Sequence, residues 1–414
     1  MKILIIGSGG REHAIAKKLH QDNKQAKIYV LPGNGGIGRF FECPQISIED
    51  INSIVNFAVI NHIDYVIPST EGPLVSGIID ALGKAGVPCL GPQSRAAIIE
   101  GSKWFAKEFM RHYSIPTAKY VLFDDFNVAK SYLQECTYPK VIKADGLAKG
   151  KGVFIVNNKQ EAIDTLTSLM KDLLFGEAGK KVVVEEYLEG KEVSVQLFTN
   201  GSDFICLPSS MDYKKVGENN IGQNTGGMGS IASNPFYTEE IEQVCVERII
   251  KPTLQGMKHE GREYKGCLYI GLMLTNDGPK VLEYNCRFGD PETEAILPLL
   301  DCSLLPFMLW TNGDISKPDL KIKNEFSCCV VLASKGYPQK YQIGYKINIP
   351  DEILPDVDFC GISLKQNSLI SCGGRVLAVT SVAKNLRLAI EQCYTHINKI
   401  TCNNLFYRKD IGKL

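Results

Sequence analysis

Three side chains capable of ligand chemistry alternate along one short segment of the chain. Glu283, Asn285 and Arg287 lie two residues apart within the run PKVLEYNCRFGDPETE, which spans 279–294. Side chains two apart on a strand share a face, so these three can converge on one ligand. Carboxylate and amide oxygens suit Mg²⁺, and a guanidinium suits a carboxylate or a phosphate. The segment therefore predicts a magnesium site at Glu283 and Asn285, with Arg287 free for an anion.

A glycine-rich segment indicates a site for phosphate groups. The run KADGLAKGKG at 143–152 holds three glycines and three lysines in ten residues, between two strand-like segments. A hairpin of this composition can fold its backbone amides over a polyphosphate. A mobile, solvated turn is the alternative.

Two further segments favour a nucleotide or another ligand. The linker after the strand-like run at 182–188 can present backbone N–H and C=O groups to an adenine edge, and Glu192 can reach ribose hydroxyls. An ordinary exposed glutamate on a strand is the alternative for Glu192. The loop at 224–230 is rich in glycine, which is typical of close backbone approach to a ligand or of a disordered linker.

The elements that must position these residues begin with a sheet. Over the first hundred residues, short β-branched runs at 3–6, 28–31, 65–67 and 88–90 alternate with helical-period stretches around 11–19, 51–60 and 74–85. This alternation predicts a doubly wound parallel sheet with ligand sites at the carboxyl ends of its strands. The turn after the first strand lacks a dinucleotide fingerprint, because Glu12 stands where the third glycine is required. A helix beginning near Gly10, with Arg11 in its first turn, can still bind a phosphate; a tight strand-to-helix turn is the alternative.

Composition limits the class of protein. The chain has 414 residues, 44% of them hydrophobic, and a formal net charge of zero, so neither nucleic acid nor a membrane surface is expected as a partner. We expect a cytoplasmic protein, because the N-terminal apolar run is too short for a signal sequence and no segment is long enough to span a membrane. The 14 cysteines form no zinc-type pattern, so a transition-metal centre is disfavoured.

Length and pattern together predict a multidomain α/β and α+β protein. We expect an N-terminal doubly wound domain at 1–102 and a small subdomain with the phosphate loop at 103–190. A catalytic subdomain at 191–325 and a small C-terminal α/β scaffold domain at 326–414 complete the prediction.

An ordered set of motifs gives a family resemblance over nearly the whole chain. The set comprises 7–13, 32–34, the block from 91–92 to 101–103, 142–153, the loop at 212–214, 224–229, 283–294, 373–376 and 408–412. With these motifs the chain closely resembles the phosphoribosylamine–glycine ligase family of the ATP-grasp superfamily. The resemblance implies an ATP-grasp core and ligation of glycine to 5-phosphoribosylamine through glycyl phosphate, with ATP cleaved to ADP and phosphate. It also implies small-molecule partners only, Mg²⁺ or Mn²⁺ as the metal, and a monomer or weak homodimer.

The resemblance carries roles onto matching positions. It implies that the phosphates are bound by Lys103, Lys143 and the loop residues Gly146, Lys149, Gly150 and Gly152. Adenosine would be bound by Glu185, Glu186, Leu188 and Glu192, the first three mainly through their backbone. The glycine carboxylate would pair with Arg287, helped by Asp212 and Lys214. The amine substrate would be bound by Gly9, Gly10, Arg11, Glu12 and Glu71.

Two other functions stay open at this point. The chain could be another ATP-grasp ligase or a carboxylase that acts on a different amine or on bicarbonate. It could also be a nucleotide-binding regulatory protein without turnover, although Lys103, Lys143, Glu283, Asn285 and Arg287 together argue against this.

Overall fold

The computed structural model describes residues 1–148 and 151–414, and its first segment is built on a three-stranded parallel sheet. The elements of this segment are β1 (Lys2–Gly7), α1 (Gly10–Asp22), β2 (Lys27–Pro32), α2 (Ile51–Ile60), β3 (Tyr65–Pro68), α3 (Glu71–Val75), α4 (Ile78–Lys84) and α5 (Ser94–Gly101). The strand order is β2-β1-β3, with Ile3 opposite both Ile28 and Tyr65. Because the strands are parallel, their carboxyl ends meet at one edge, where α1 and α3 begin.

The second segment is a small four-stranded antiparallel sheet with its own core. Its elements are α6 (Lys103–His112), β4 (Tyr120–Phe123), α7 (Phe126–Glu135), β5 (Lys140–Ala144), β6 (Val153–Val156), α8 (Lys159–Met170) and β7 (Val182–Glu186). The strand order is β4-β7-β5-β6, and apolar side chains of α7 and α8 cover one face. The β5–β6 hairpin carries the predicted phosphate loop, with Lys143 opposite Val153.

The third segment supplies most of a ten-stranded sheet. Its elements are β8 (Lys191–Thr199), β9 (Phe204–Cys206), β10 (Ser210–Asp212), β11 (Gly229–Ala232), α9 (Glu239–Cys245), α10 (Lys251–His259), β12 (Gly266–Thr275), β13 (Gly278–Asn285), α11 (Glu292–Ile296) and α12 (Leu305–Asn312). A π-helical turn at Val246–Ile250 joins α9 to α10. β12 pairs with both β8 and β13, and β13 forms one edge of this sheet.

The last segment extends the same sheet. Its elements are β14 (Phe326–Ser334), β15 (Lys346–Ile347), β16 (Val357–Phe359), β17 (Ile362–Lys365), β18 (Ser368–Ser371), β19 (Arg375–Ala383), α13 (Leu386–Ile397) and β20 (Leu405–Phe406). The strand order of the large sheet is β13-β12-β8-β10-β11-β14-β19-β16, with β9 beside β8 and β20 beside β14. β11 and β14 pair directly, so the sheet runs across the predicted boundary at 325/326. The predicted fold class is confirmed; the domain boundaries stay predictions.

Apolar packing links the segments. Side chains of β1, β2 and α1 share one apolar core with α11, β14, β19 and α13. Among the described helices, none is long and apolar enough to cross a bilayer.

Candidate active site

A large cleft lies where the four segments meet. Its volume is about 1180 Å³, and residues of every segment line it. Among the residues predicted for the site, those that line the cleft are Gly9, Arg11, Glu12, Glu71, Lys103, Lys143, Gly152, Glu185, Glu186, Leu188, Glu192, Asp212, Lys214, Glu283, Asn285 and Arg287. The fold therefore brings together residues that are almost 280 positions apart in sequence.

Four predicted glycine or lysine positions need separate comment. Gly10 and Gly146 are packed behind the cleft: a Cβ at Gly10 would lie 2.6 Å from Glu294 Oε1, and one at Gly146 would lie 2.6 Å from the Ala178 Cβ. Lys149 and Gly150 lie outside the described residues, so their predicted role in phosphate binding stays a prediction.

Glu283 is surrounded by lysines. Lys214 Nζ donates to Glu283 Oε1 at 3.2 Å. The charge of Lys214, followed by those of Lys143 and Lys103, outweighs burial and lowers the pKa of Glu283 to about 2. Gly271 lies opposite Glu283 on β12, and a Cβ there would come within 3.2 Å of the Glu283 Cγ. The carboxylate is therefore ionised in the cleft and has room beside it.

Asn285 is oriented by a buried carboxylate. The amide orientation that satisfies both of its ends donates from Nδ2 to Glu100 Oε1 at 2.9 Å and to the Tyr284 carbonyl at 3.2 Å. Glu100 Oε2 also accepts from the Cys286 backbone N–H at 2.6 Å. With Nδ2 toward Glu100, the amide oxygen of Asn285 is left on the side of the cleft.

Arg287 lies between two carboxylates. Its Nη2 is 3.3 Å from Glu100 Oε1, its Nε is 3.5 Å from Glu71 Oε2, and its Nη1 donates to the Phe288 carbonyl at 3.1 Å. The guanidinium is consequently fixed at the end of β13, beside the tip of β3 and facing the cleft.

The nucleotide end of the cleft contains a buried ionic cluster. Glu185 Oε1 lies 2.9 Å from Lys143 Nζ and 3.1 Å from Lys107 Nζ, and all three side chains are less than a tenth exposed. Burial lowers the pKa of Lys107 to about 8, although Glu185 opposes this shift. Glu186 Oε1 accepts from the Lys119 backbone N–H at 2.9 Å. Because both carboxylates are engaged and β7 is paired on both sides, the backbone after β7, around Leu188, is what remains for a base.

Leu188 and Glu192 follow on the same wall. Leu188 is buried just after β7, whereas the Glu192 side chain is 41% exposed. Glu192 Oε2 lies 3.5 Å from Lys214 Nζ. The carboxylate is thus accessible to a polar group of a ligand.

Lys103 begins α6 beside the phosphate loop. The Ser102 hydroxyl caps this helix by accepting from the Phe105 N–H, and it donates to Asp145 Oδ1 at 2.9 Å. Lys103 Nζ donates to the Gly146 carbonyl at 3.1 Å, and burial lowers the pKa of Lys103. The first backbone N–H groups of α6 are taken up by Asp145 and Ser102, so the Lys103 ammonium group is what this end of the β5–β6 hairpin offers to an anion.

Two acidic residues form a pair on the floor of the cleft. Burial, followed by the charge of Glu292, raises the pKa of Asp212 well above its usual value. Glu292 Oε1 accepts from the Ser194 hydroxyl at 3.1 Å, and that hydroxyl is 2.8 Å from the Tyr269 hydroxyl. Asp212 Oδ1 is buried with no hydrogen-bond partner among the described residues. The pair can bind a cationic group.

The first helix contributes a tight turn. Glu12 Oε2 accepts from the Gly9 N–H at 2.6 Å, closing the first turn of α1. Arg11 donates from Nε to Glu12 Oε1 at 2.7 Å and from Nη1 to the Phe288 carbonyl at 3.0 Å. Arg11 therefore ties α1 to the loop after β13, and its remaining surface lines the cleft.

Sequence reasoning missed Glu100 and Glu292. Glu100 lies four residues after Ala96, on the apolar face of α5, and is 8% exposed. Burial raises its pKa to about 7 even though Arg287 opposes the shift. A carboxylate on the buried face and in the last turn of a helix was an available signal, because that position is unfavourable unless a partner requires it. Glu292 had no signal of its own within the 279–294 run.

The structure contains only a sparse set of metal ligands. Across residues 1–148 and 151–414, no group of three His, Cys, Asp or Glu side chains is placed to hold a metal ion. Glu283 and the oxygen of Asn285 nevertheless offer two hard donors to the cleft. Such a pair fits a hard cation that keeps water molecules and binds together with phosphate oxygens.

Comparison with known proteins agrees with this geometry. Models of the phosphoribosylglycinamide synthetase N domain, ATP-grasp (A) domain and C domain match residues 1–100, 101–293 and 327–414. A phosphoribosylamine–glycine ligase of Caldanaerobacter subterraneus subsp. tengcongensis is 46% identical over 414 residues, covering 100% of this chain and 99% of that one.

Of two similar solved structures, one supports the family relationship and the other shows only a shared fold. The crystal structure of phosphoribosylamine–glycine ligase from Thermotoga maritima has a TM-score of 0.87 and 32% identity, covering 99% of this chain and 100% of that one. The biotin carboxylase domain of Hydrogenobacter thermophilus 2-oxoglutarate carboxylase has a TM-score of 0.73 at 14% identity, covering 98% and 91%, and shares the fold alone. The resemblance seen in the sequence is confirmed, and the chain belongs to the phosphoribosylamine–glycine ligase family of ATP-grasp enzymes.

Proposed function

We propose that the protein ligates glycine to 5-phosphoribosylamine, with ATP cleaved to ADP and phosphate, in purine biosynthesis. The product is glycinamide ribonucleotide. One observation carries the proposal: a single cleft holds an ionised Glu283 ringed by three lysines, and Arg287 is fixed beside it. Lysines suit a triphosphate, and the guanidinium suits a carboxylate.

ATP binding follows from the wall formed by the second segment. Lys103 and Lys143 would face the phosphates together with the hairpin at 145–152, and the backbone around Leu188 would face adenine. Glu192 is exposed enough to accept from ribose hydroxyls. Mg²⁺ or Mn²⁺, held by Glu283 and the Asn285 oxygen, would neutralise phosphate charge when it is bound.

Glycine is a zwitterion, so its site needs one group of each charge. Arg287 supplies the cation for the glycine carboxylate. Asp212 and Glu292 supply two buried carboxyl groups for the ammonium group, and the unpartnered Asp212 Oδ1 has capacity for its N–H groups. Lys214 lies between this pair and Glu283, and we assign it to the transferring phosphoryl group.

The chemistry needs positioning rather than an enzyme nucleophile. An oxygen of the glycine carboxylate attacks the γ-phosphorus, the bond to the bridging oxygen breaks, and ADP leaves. The amine nitrogen then attacks the carbonyl carbon of glycyl phosphate, phosphate departs with the C–O bond pair, and the nitrogen loses a proton. Fixed cations that offset the developing charge account for most of the rate enhancement.

The amine substrate belongs at the tips of β1 and β3. Glu12 takes up the Gly9 N–H, so the Arg11 guanidinium, which lines the cleft, is the group at the start of α1 that would face a phosphate. Glu71 begins α3 next to Arg287. These contacts support a site for the ribosylamine on the side of Arg287 that is away from the nucleotide wall.

An ADP-release assay tests the proposal. ATP, Mg²⁺, glycine and freshly generated phosphoribosylamine are combined, and each is left out in turn. ADP formation that needs both glycine and the amine is expected. Turnover with another amino acid or with bicarbonate, but not with glycine, would indicate a different ligase or a carboxylase; ATP binding without ADP formation would indicate a regulatory protein.

A further inference from the structure

One buried carboxylate contacts three consecutive residues of the site. Glu100, from the last turn of α5, accepts from the Cys286 N–H at 2.6 Å through Oε2. Its Oε1 lies 3.3 Å from Arg287 Nη2 and, in the amide orientation that satisfies both ends of Asn285, accepts from Asn285 Nδ2 at 2.9 Å. The end of β13 is therefore organised from beneath by a residue of a different segment.

The Glu100 carboxylate is faced by three atoms that all donate hydrogen bonds: Cys286 N, Asn285 Nδ2 and Arg287 Nη2. A carboxylate only accepts, whereas the amide of Asn285 has one accepting and one donating end. Glu100 can therefore satisfy only the nitrogen end of that amide. Because Asn285 also lines the cleft, its oxygen end is the one presented to a ligand.

We infer that Glu100 is a positioning residue that sets the amide of Asn285 so that its oxygen, and not its nitrogen, faces the metal that enters with the nucleotide. The inference rests on the proposed function, because it presumes that a metal–nucleotide complex binds beside Glu283. An amide nitrogen cannot ligate a cation, so a reversed amide removes one of the two protein ligands. Mutation of a group that orients a metal ligand typically weakens metal binding 10-fold to 100-fold.

The substitution Glu100→Gln tests this geometry at nearly constant volume. A glutamine has one acceptor where the carboxylate had two. If its oxygen accepts from the Cys286 N–H, its NH₂ group faces Asn285, and the Asn285 amide must reverse. Its nitrogen then points toward the metal.

The charge-swapped double variant Glu100→Gln/Asn285→Asp restores the arrangement. The glutamine NH₂ group donates to one oxygen of the new carboxylate, and the other oxygen faces the metal. The net charge of the pair is the same as in the wild type. Asn285→Asp alone instead puts two carboxylates against each other, so one of them must carry a proton.

The primary measurement is the affinity of the ADP complex for Mn²⁺, obtained from the EPR signal of free Mn²⁺. We expect Glu100→Gln to weaken Mn²⁺ binding about 10-fold or more and the double variant to recover it to within about 3-fold of wild type. Affinity for ADP without metal should change little in either variant. Asp358→Asn, which alters a buried carboxylate outside the cleft, is the matched control.

Two results would overturn the inference. Unchanged Mn²⁺ affinity in folded Glu100→Gln would mean that the amide does not depend on Glu100. A double variant that binds Mn²⁺ no better than Glu100→Gln would mean that Glu100 acts through general stability. If instead the wild-type protein with ADP binds no Mn²⁺, the metal site of the proposed function is wrong, and the two failures are thereby distinguished.

Discussion

At the scale of single residues, the site is defined by opposite charges held close together. Glu283 is kept ionised by Lys214, Lys143 and Lys103, so a cation that approaches alone meets three positive groups. A triphosphate reverses this balance, because it neutralises the lysines and brings further oxygen ligands. We expect the metal to bind with the nucleotide rather than before it.

Replacing Glu283 by glutamine should lower kcat about 100-fold, because one charge-stabilising contact in such a site contributes roughly that much. The measurement is ADP release with saturating ATP, glycine and phosphoribosylamine. Glu391→Gln, which removes an exposed carboxylate paired with Arg387 on α13, should keep wild-type turnover. Near-normal kcat in Glu283→Gln would exclude Glu283 from the metal site.

Sequence alone found the residues whose chemistry repeats locally. The alternation of Glu283, Asn285 and Arg287 is visible in a single strand. Glu100 and Glu292 were missed because their partners come from other elements: Glu100 meets β13 from α5, and Glu292 meets Ser194 of β8. A tertiary contact of that kind produces no periodic pattern in the sequence.

At the scale of elements, β7 is joined to α6 and β5 through Glu185 and its two lysines. Lys107 has a pKa of about 8 in the folded protein against 10.5 for an exposed lysine. Between those values the unfolded chain binds more protons, so the free energy of unfolding should rise with pH, by at most about 1.4 kcal/mol per pH unit. Below this window the cost of burying the ammonium is fully present.

Chemical denaturation at several pH values across that window measures the effect. Lys107→Met should show a smaller rise with pH than the wild type, because the titrating group is gone. Lys251→Met, which changes an exposed lysine on α10, should follow the wild-type slope. Equal slopes in all three proteins would show that Lys107 is not the titrating group.

The start of β12 depends on a glycine that touches another backbone. Gly266 has a φ of 115°, and a Cβ there would lie 2.6 Å from the Gly91 Cα. Gly266→Ala should lower the free energy of unfolding by about 2 kcal/mol or more, since strain and overlap add. Gly278, the first residue of β13, has a φ of 104° but nothing within 4 Å of a Cβ, so Gly278→Ala should cost only about 1 kcal/mol. Urea unfolding measures both, and equal losses would rule out the overlap with Gly91.

The prediction of helices and strands succeeded where the hydrophobic pattern agreed with the residues that begin or end an element. The helix predicted at 51–60 is α2, with Asp50 as its cap. The helix predicted at 74–85 is instead two helices, because Gly77 adopts a φ of 90° between them. The strand predicted at 88–90 is a single bridge from Cys89 to Val66, and Gly91 turns the chain away directly afterwards.

At the scale of the whole molecule, the first and last segments act as one body. Asp358 of the last segment is buried against α1, with its Oδ1 2.8 Å from Lys17 Nζ and 3.0 Å from His13 Nδ1. Asp358→Asn should lower the free energy of unfolding by about 3 kcal/mol, because it leaves buried partners uncompensated. kcat per folded molecule should be unchanged, because Asp358 does not line the cleft.

Urea unfolding and ADP release on the same preparation check both parts. Glu42→Gln, which removes an exposed partner of Lys27 in the same segment, is the matched control and should leave both quantities at wild-type values. A large loss of turnover in folded Asp358→Asn would instead place the α1 interface within the catalytic machinery.

The junction of β11 and β14 has a practical consequence for shortened versions of the protein. Every residue of Gly229–Ala232 is matched to a residue of β14. A fragment that stops at residue 325 would expose that strand as a bare edge, which is a template for association with other copies. Such a fragment should aggregate rather than stay in solution as an inactive, folded piece of the protein.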